Sequence, residues 1–499
     1  MMYHLHKHVL FTIFLLFVLV FSLNSNVRAE QGGLVLEWEQ PWETYGVGST
    51  CNFNTHNFFV GDVDGDGVME MVTGGFMYYI ENDTRIHVEA PLRIWNWDGE
   101  NFTCEKSHNW AGSIHSIYVG DSDGDGLNEI VTGGHVTNST GSYTSLRVWS
   151  YDGEALALKG SYECKGTSFS SIFVDDVDND GAPEILTAGA AHNGNKSSAQ
   201  LCIWQWDGNR LDLKKGVEWC AMTEAYAYSV YAYDLNKDGK TEIITGGYDN
   251  DLKNSSGQLR VWHWNGEELT LEANEEWRMM EDAYGVTISG QPMGNTMVNN
   301  LKVGDIDDDG TPKIVTGGWT YDGEKINGQL RIWNWNGHTL ILEKSHEWTT
   351  EDITEIKAIA IDDVDNDGHV DIVTSGLTSV YGSFNNTEVT PNAAQLRVWS
   401  WNGETLTLKQ NKDWTIGDGV VAWNVATGDV DEDGTVEIVT VGCMGISGLC
   451  DPDLRIWSIP KESASIPYPL LAALGIIVIM VLIIGILVFK KRKKRSFCL

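Results

Sequence analysis

Basic residues are scarce in this chain: 34 Lys and Arg stand against 70 Asp and Glu, a formal net charge of −36 over 499 residues. A surface of that sign repels phosphate backbones, which excludes nucleic-acid binding. Catalytic signatures are missing as well, with no Gly-x-Ser-x-Gly, no His-Glu-x-x-His and no phosphate-binding glycine loop. Cysteine is sparse: 8 in all. All but Cys498 fall in a segment expected outside the cell, an odd number for an oxidising compartment. Cys443 and Cys450 are spaced to close one loop, and Cys104 stands where other repeats carry leucine, a core position. Long charge-free apolar runs are confined to the two ends.

Those ends predict a topology. Val9–Leu23 is apolar behind Lys7, and Val27-Arg28-Ala29 supplies a cleavage site, so residues 1–29 have the form of a signal peptide. Leu470–Phe489 carries no charge or proline; at 1.5 Å per residue it spans about 30 Å, a bilayer's hydrocarbon core. The basic run Lys490–Arg495 predicts that the tail, residues 490–499, is cytoplasmic. Residues 30–459 then form the ectodomain, residues 460–469 a linker, and the chain a single-pass type I protein of the cell membrane. All the acidic residues lie outside, so a compact ectodomain repels itself unless cations offset the charge. Sequons at Asn82, Asn101, Asn138, Asn195, Asn254 and Asn385 fit a glycosylated outer surface.

Internal repeats decide the fold. The unit Asp62-Val-Asp64-Gly-Asp66-Gly67-Val-Met-Glu70, followed by Met71-Val-Thr-Gly-Gly75, recurs from Asp121, Asp176, Asp234, Asp305, Asp363 and Asp429, about 61 residues apart. Between these loops lie segments of the form Leu92-Arg-Ile-Trp95-Asn-Trp97-Asp-Gly99, then of the form Leu340-Ile-Leu342…Trp348. Alternating apolar residues rich in Val, Ile and Trp are strand patterns, and Asp-Gly or Asn-Gly is a hairpin turn. Each repeat therefore holds four strands: A leads into the acidic loop, B follows it, C carries the tryptophans, and D follows the turn. Seven such units predict an all-β, seven-bladed β-propeller. The last repeat stops after strand C, and Leu34–Trp42 matches Leu340–Trp348, so the N-terminal strand should complete blade seven. Arginines two residues before the strand C tryptophan (Arg93, Arg147, Arg260, Arg331, Arg397, Arg455) should stack on that ring.

The loops have the donor set of calcium, which takes six to eight hard oxygens. Positions 1, 3 and 5 offer carboxylates, glycine at 6 allows the turn, 7 offers a carbonyl and 9 a carboxylate. The expected ligands are Asp62, Asp64, Asp66, Val68 and Glu70 in loop one, and Asp121, Asp123, Asp125, Leu127 and Glu129 in loop two. Loop three offers Asp176, Asp178, Asp180, Ala182 and Glu184; loop four offers Asp234, Asn236, Asp238, Lys240 and Glu242. Loop five offers Asp305, Asp307, Asp309 and Thr311, but Lys313 stands at position 9, so its site should be weak or empty. Loop six offers Asp363, Asp365, Asp367, His369 and Asp371, and loop seven Asp429, Asp431, Asp433, Thr435 and Glu437. Up to seven Ca²⁺ ions are expected. An EF-hand needs Glu at position 12 between helices; here that position is Thr73 between strands. Each loop wraps its own ion, so the metals have a structural role.

These residues resemble the FG-GAP or VCBS repeats of integrin α-subunit propellers, over residues 30–459. Thr-Gly-Gly stands where that family has its Phe-Gly and Gly-Ala-Pro signatures. The resemblance implies a stand-alone propeller engaged in extracellular adhesion or recognition of a protein or glycan. It implies no enzyme; the alternatives are a calcium-dependent polysaccharide lyase or hydrolase, or a structural cell-envelope component. Six residues before each loop stand His56, His115, Ser170, Tyr228, Asn299, Lys357 and Trp423, which vary while their surroundings repeat and would ring the mouth of the central shaft. Chain direction puts the acidic loops and the Asp/Asn-Gly turns on one face, toward the membrane, and the loops between strands B and C on the other.

Overall fold

The tryptophans and threonines of the repeat meet in one recurring bond. In the computed structural model the strand C indole donates to the threonine of Thr-Gly-Gly on strand B: Trp149 Nε1 to Thr132 Oγ1 at 3.0 Å, Trp204 to Thr187 at 3.0 Å, Trp457 to Thr440 at 3.0 Å. The same pair recurs at Trp95–Thr73, Trp262–Thr245, Trp333–Thr316 and Trp399–Thr374. The structure describes residues 33–41, 51–81, 84–97, 102–194, 196–220, 224–250, 255–279, 287–288, 291–292, 296–380, 392–417, 419–444 and 451–460. The expected signal peptide, membrane helix and cytoplasmic tail lie outside these residues, as do Cys450 and every sequon except Asn138.

Every long element among the described residues is a strand, and the strands form repeated antiparallel sheets of four. The first uses Cys51–Gly61, Glu70–Glu81, Thr84–Trp97 and the start of Phe102–Gly120, whose remainder opens the second with Glu129–Asn138, Gly141–Tyr151 and Leu156–Cys164. The next four begin at Thr167–Asp175, Glu224–Tyr233, Thr296–Gly304 and Ile353–Asp362. The seventh takes Val420–Gly428, Glu437–Met444 and Asp451–Ser458, and Val35–Pro41 supplies its outer strand. Leu36 pairs with Trp457 as Leu342 pairs with Trp333, so the N-terminal strand occupies the strand D place in the same register.

The sheets pack face to face in a propeller-like ring. Ile306, Val315 and Leu330 of the fifth sheet share a core with Ile356, Ile372 and Trp399 of the sixth. Phe58, Met71 and Trp95 of the first sheet share one with Val439, Leu454 and Ile456 of the seventh, which closes the circle. The A strands of all seven sheets line one central channel.

Alternation is weaker than the sequence pattern predicts. Strand B of the fifth sheet, Lys313–Tyr321, is buried at every residue, because a middle strand has a neighbouring sheet on both faces. Thr-Gly-Gly follows from the same crowding. A Cβ on Gly74 would lie 2.6 Å from Ile114 of the next sheet. A Cβ on the second glycine (Gly134, Gly189, Gly247, Gly318) would run into a backbone carbonyl of its own strand A. That strand bulges there by one residue, for example between Ile114 and Ser116 and between Ala227 and Ser229. The bulged residues include His115, Tyr228, Asn299, Lys357 and Trp423, and a bulge re-aims its side chain.

Candidate metal centres

Each acidic loop is held open by its own backbone. The position 1 aspartate accepts the N–H of position 6: Asp62 from Gly67 at 3.0 Å, and Asp121, Asp176, Asp234, Asp305, Asp363 and Asp429 from their glycines at 2.9 Å. The position 5 aspartate accepts the N–H of position 7, as Asp66 does from Val68 at 2.8 Å. The position 9 glutamate turns one oxygen back to the N–H of position 2, as Glu70 does to Val63 at 2.8 Å and Glu437 to Val430 at 3.0 Å. The position 1 aspartate is bonded through both oxygens in most loops, as Asp62 is to Gly65 at 2.7 Å and to Gly67 at 3.0 Å.

This convergence needs left-handed backbone. Position 6 is glycine throughout, and position 4 also has positive φ. Two loops meet that need with Gly65 and Gly124; the others force Asn179, Lys237, Asp308, Asn366 and Glu432 to φ of 55–60°. Such residues cost about 1–2 kcal/mol each, least for Asn and Asp.

The neighbouring sheet completes every site that can be compared. The Asp/Asn-Gly turns of the second to sixth sheets rest on position 3 of the preceding loop. A Cβ on Gly153 would come 2.7 Å from Asp64 Oδ2, on Gly208 2.9 Å from Asp123, and on Gly266 2.9 Å from Asp178. The loops and turns therefore share one face. Asn128 donates to the Asp62 carbonyl at 2.9 Å, and Trp335 Nε1 to Glu242 at 3.4 Å, so the contacts between sheets run through the loops themselves.

The donor set fits calcium. Carboxylate oxygens of Asp62, Asp64 and Asp66 lie within 4.8 Å of one another, as do those of Asp121, Asp123 and Glu129, and of Asp176, Asp178 and Glu184. A buried oxygen of Asp429 has no hydrogen-bond partner. Burial, helped by repulsion from the loop aspartates and opposed by the Val63 backbone bond, pushes Glu70 up to about 7. Burial and the neighbouring Asp178 push Glu184 up to about 8, and burial pushes Glu437 up to about 8. Carboxylates packed this closely require a cation or a proton. In loop four the expected ligand Asn236 instead donates its amide to Asp238 at 3.3 Å.

Two loops hold a cation of the chain's own. In loop five Lys313 Nζ lies 3.2 Å from Asp307, 3.0 Å from Asp309 and 3.1 Å from the Thr311 carbonyl, which are the ligand positions 3, 5 and 7. In loop six, predicted as a full calcium site, Lys409 of strand D lies 2.5 Å from Asp365 and 3.1 Å from both Asp367 and Asp371. Burial lowers the pKa of each lysine, but the carboxylates outweigh it and the net shift is upward. Lys409 sits at the strand D bulge, between Leu408 and Gln410, a bulge that recurs at the same place in the other sheets. The residue type was no signal by itself: that place holds Glu105, Glu272, Glu343 or Glu37 in four sheets but also Lys159 and Lys214 in two others.

The remaining sequence expectations fare unequally. Arg147 stacks over Trp110 of strand D at 4.7 Å and lies 6.0 Å from the strand C ring of Trp149; Arg331 likewise favours Trp277 at 4.7 Å over Trp333 at 5.7 Å. The nearer partner is thus the strand D tryptophan. The bulged residues contact neighbours rather than forming one cluster. Tyr228 groups with Tyr226 and Tyr248, His115 bonds Ser113 at 2.8 Å, and Lys357 pairs with Glu355 and lies 4.9 Å from the Trp423 ring. Cys104 packs against a core, as expected.

With that geometry in hand, the comparisons are narrow. The FG-GAP-like repeat family matches residues 176–245, which span loops three and four. No curated protein matches the chain in sequence. Among solved structures, the crystal structure of Sqt1 from Chaetomium thermophilum is similar at a TM-score of 0.45 and 10% identity, covering 82% of this chain and 97% of that one.

Proposed function

We propose that the protein is a calcium-loaded, seven-bladed propeller of the FG-GAP/VCBS, integrin α-like type, held on the cell surface by its C-terminal helix. It binds an extracellular protein or glycan and catalyses no reaction. The observation that carries this reading is the clasp between acidic loops one to five and the next sheet's turn. Calcium there neutralises the loop carboxylates and stiffens the joints between blades. One face becomes a rigid frame, and the loops between strands B and C on the opposite face are left to differ; rigid scaffolds with variable loops are where recognition concentrates. Asn138, an exposed sequon at such a B–C turn, fits an outward face.

The test is binding of residues 30–459 to whole cells and glycan arrays with and without calcium. Added bulk in loops 248–257 and 319–328 should abolish calcium-dependent binding, and bulk at the Asp/Asn-Gly turns should leave it intact. Loss from the turn variants alone, or depolymerisation of a polysaccharide, would contradict the reading.

A further inference from the structure

The lining of the central channel departs from the acidity of the rest of the chain. Its lining residues come from all seven A strands, enclose about 440 Å³, and include one ionisable cation, Lys302, and no carboxylate. In a chain with 70 acidic residues that selection is unusual. The position three before the loop aspartate explains it. It is aromatic in the first four repeats (Phe59, Tyr118, Phe173, Tyr231), lysine in the fifth, and alanine in the last two (Ala360, Ala426). The aromatic rings run along one wall, Tyr118 to Phe173 at 5.4 Å and Phe173 to Tyr231 at 4.2 Å. Lys302 follows with Nζ 5.5 Å from the Tyr231 ring centre. Among the described residues no carboxylate pairs with it, and burial lowers its pKa. The two alanines leave room opposite the aromatic wall.

Two residues earlier on the same strands, roughly 7 Å along the channel, the lining is rich in donors. Ser171 Oγ accepts the N–H of Val230 and Ser229 Oγ that of Leu301, both at 3.2 Å. Asn300 Oδ1 accepts the N–H of Ile359 at 3.2 Å. Each acceptor is thus used between sheets, and the hydroxyl hydrogens and the amide NH₂ are left for a molecule in the channel. Asn424, whose Oδ1 takes the Val425 N–H at 2.9 Å, presents its NH₂ in the same way. A half-buried ammonium, a ring of donors and an apolar wall select an anion with a body.

We propose that the central channel is a binding site for one small polyhydroxylated carboxylate. Its carboxylate meets Lys302, its hydroxyls meet Ser171, Ser229 and Asn300, and its apolar face lies on Phe173 and Tyr231. This site is independent of the calcium loops and of recognition at the outer face.

The test is calorimetric titration of the full chain, in detergent and calcium, with glucuronate, glucose and sulfate. Glucuronate should bind saturably, one per chain, while glucose binds at least tenfold more weakly. Lys302→Met should weaken glucuronate by at least tenfold, Lys302→Arg should retain it, and Ala426→Phe should block it. An unchanged melting temperature in Lys302→Met separates loss of the site from loss of the fold. No glucuronate binding, equal binding by Lys302→Met, or binding of sulfate without glucuronate would each overturn the proposal.

Discussion

Loops five and six have the same backbone as the other five but a different centre. In both, an ammonium on the chain touches three ligand positions; in loops one to three, carboxylates converge with no such partner. On the proposed reading one scaffold then has two solutions to the same repulsion: a tethered monovalent charge, always present, or a free divalent ion, present only when supplied. On that reading the first would keep part of the ring stable without metal, and the second would make the rest responsive to it.

The largest effect that separates these classes is chelation. Removing calcium should lower the melting temperature by more than about 10 °C, since each loop saturated at 100 times its Kd contributes about 2.7 kcal/mol. An unchanged melting temperature would break the distinction at once. Next comes Lys313→Ala in calcium-free buffer. The lysine side chain is 1% exposed, and removing it strands Asp307 beside Asp309. A loss of about 3 kcal/mol is expected, within the range for breaking a buried pair, and calcium should restore it. Denaturant melts with and without calcium decide the point, and a loss that calcium does not restore would count against it.

A smaller effect is the pH response of metal-free protein. Glu70, Glu184, Glu242 and Glu437 have folded pKa values raised to about 7 or 8, above 4.5 in the unfolded chain. The folded state then holds protons that the unfolded state has released. Their stabilisation is complete below 4.5 and disappears as pH rises through about 7–8. In chelator the melting temperature should therefore be higher at pH 5.5 than at pH 8, and the reverse order would contradict the crowding of these loops. The smallest expected effect is at Glu432, held at φ 59°. Glu432→Asn should raise stability by up to about 1 kcal/mol, read from the denaturation midpoint.

What the sequence disclosed was mostly local. The acidic loops occupy nine consecutive residues, and the tryptophan pairs and turns sit at fixed offsets, so repetition exposes them without any knowledge of packing. Ring closure was legible because a missing strand at one end matched an extra strand at the other. Lys409 was not legible, since it lies 38 residues beyond Asp371 and the lysines at the same place in two other sheets, Lys159 and Lys214, give the sequence no reason to single it out. The arginines do lie over the expected strand C ring, but their nearer partner was missed because period-two alternation orders faces within one strand and is silent about the preceding sheet, which supplies the strand D tryptophan. The double glycine was visible as a signature, but its cause, a carbonyl thrust forward by the strand A bulge, belongs to the folded sheet.

Calcium stoichiometry at saturation tests the central claim most directly. Equilibrium dialysis followed by elemental analysis should find five calcium ions per wild-type chain: seven loops less the two that Lys313 and Lys409 fill. Lys313→Glu should bring the count to six, and Lys409→Glu in addition to seven. A wild-type count of seven would show that calcium displaces both lysines. No difference between wild type and the double variant would show that the tethered ammonium does not govern occupancy.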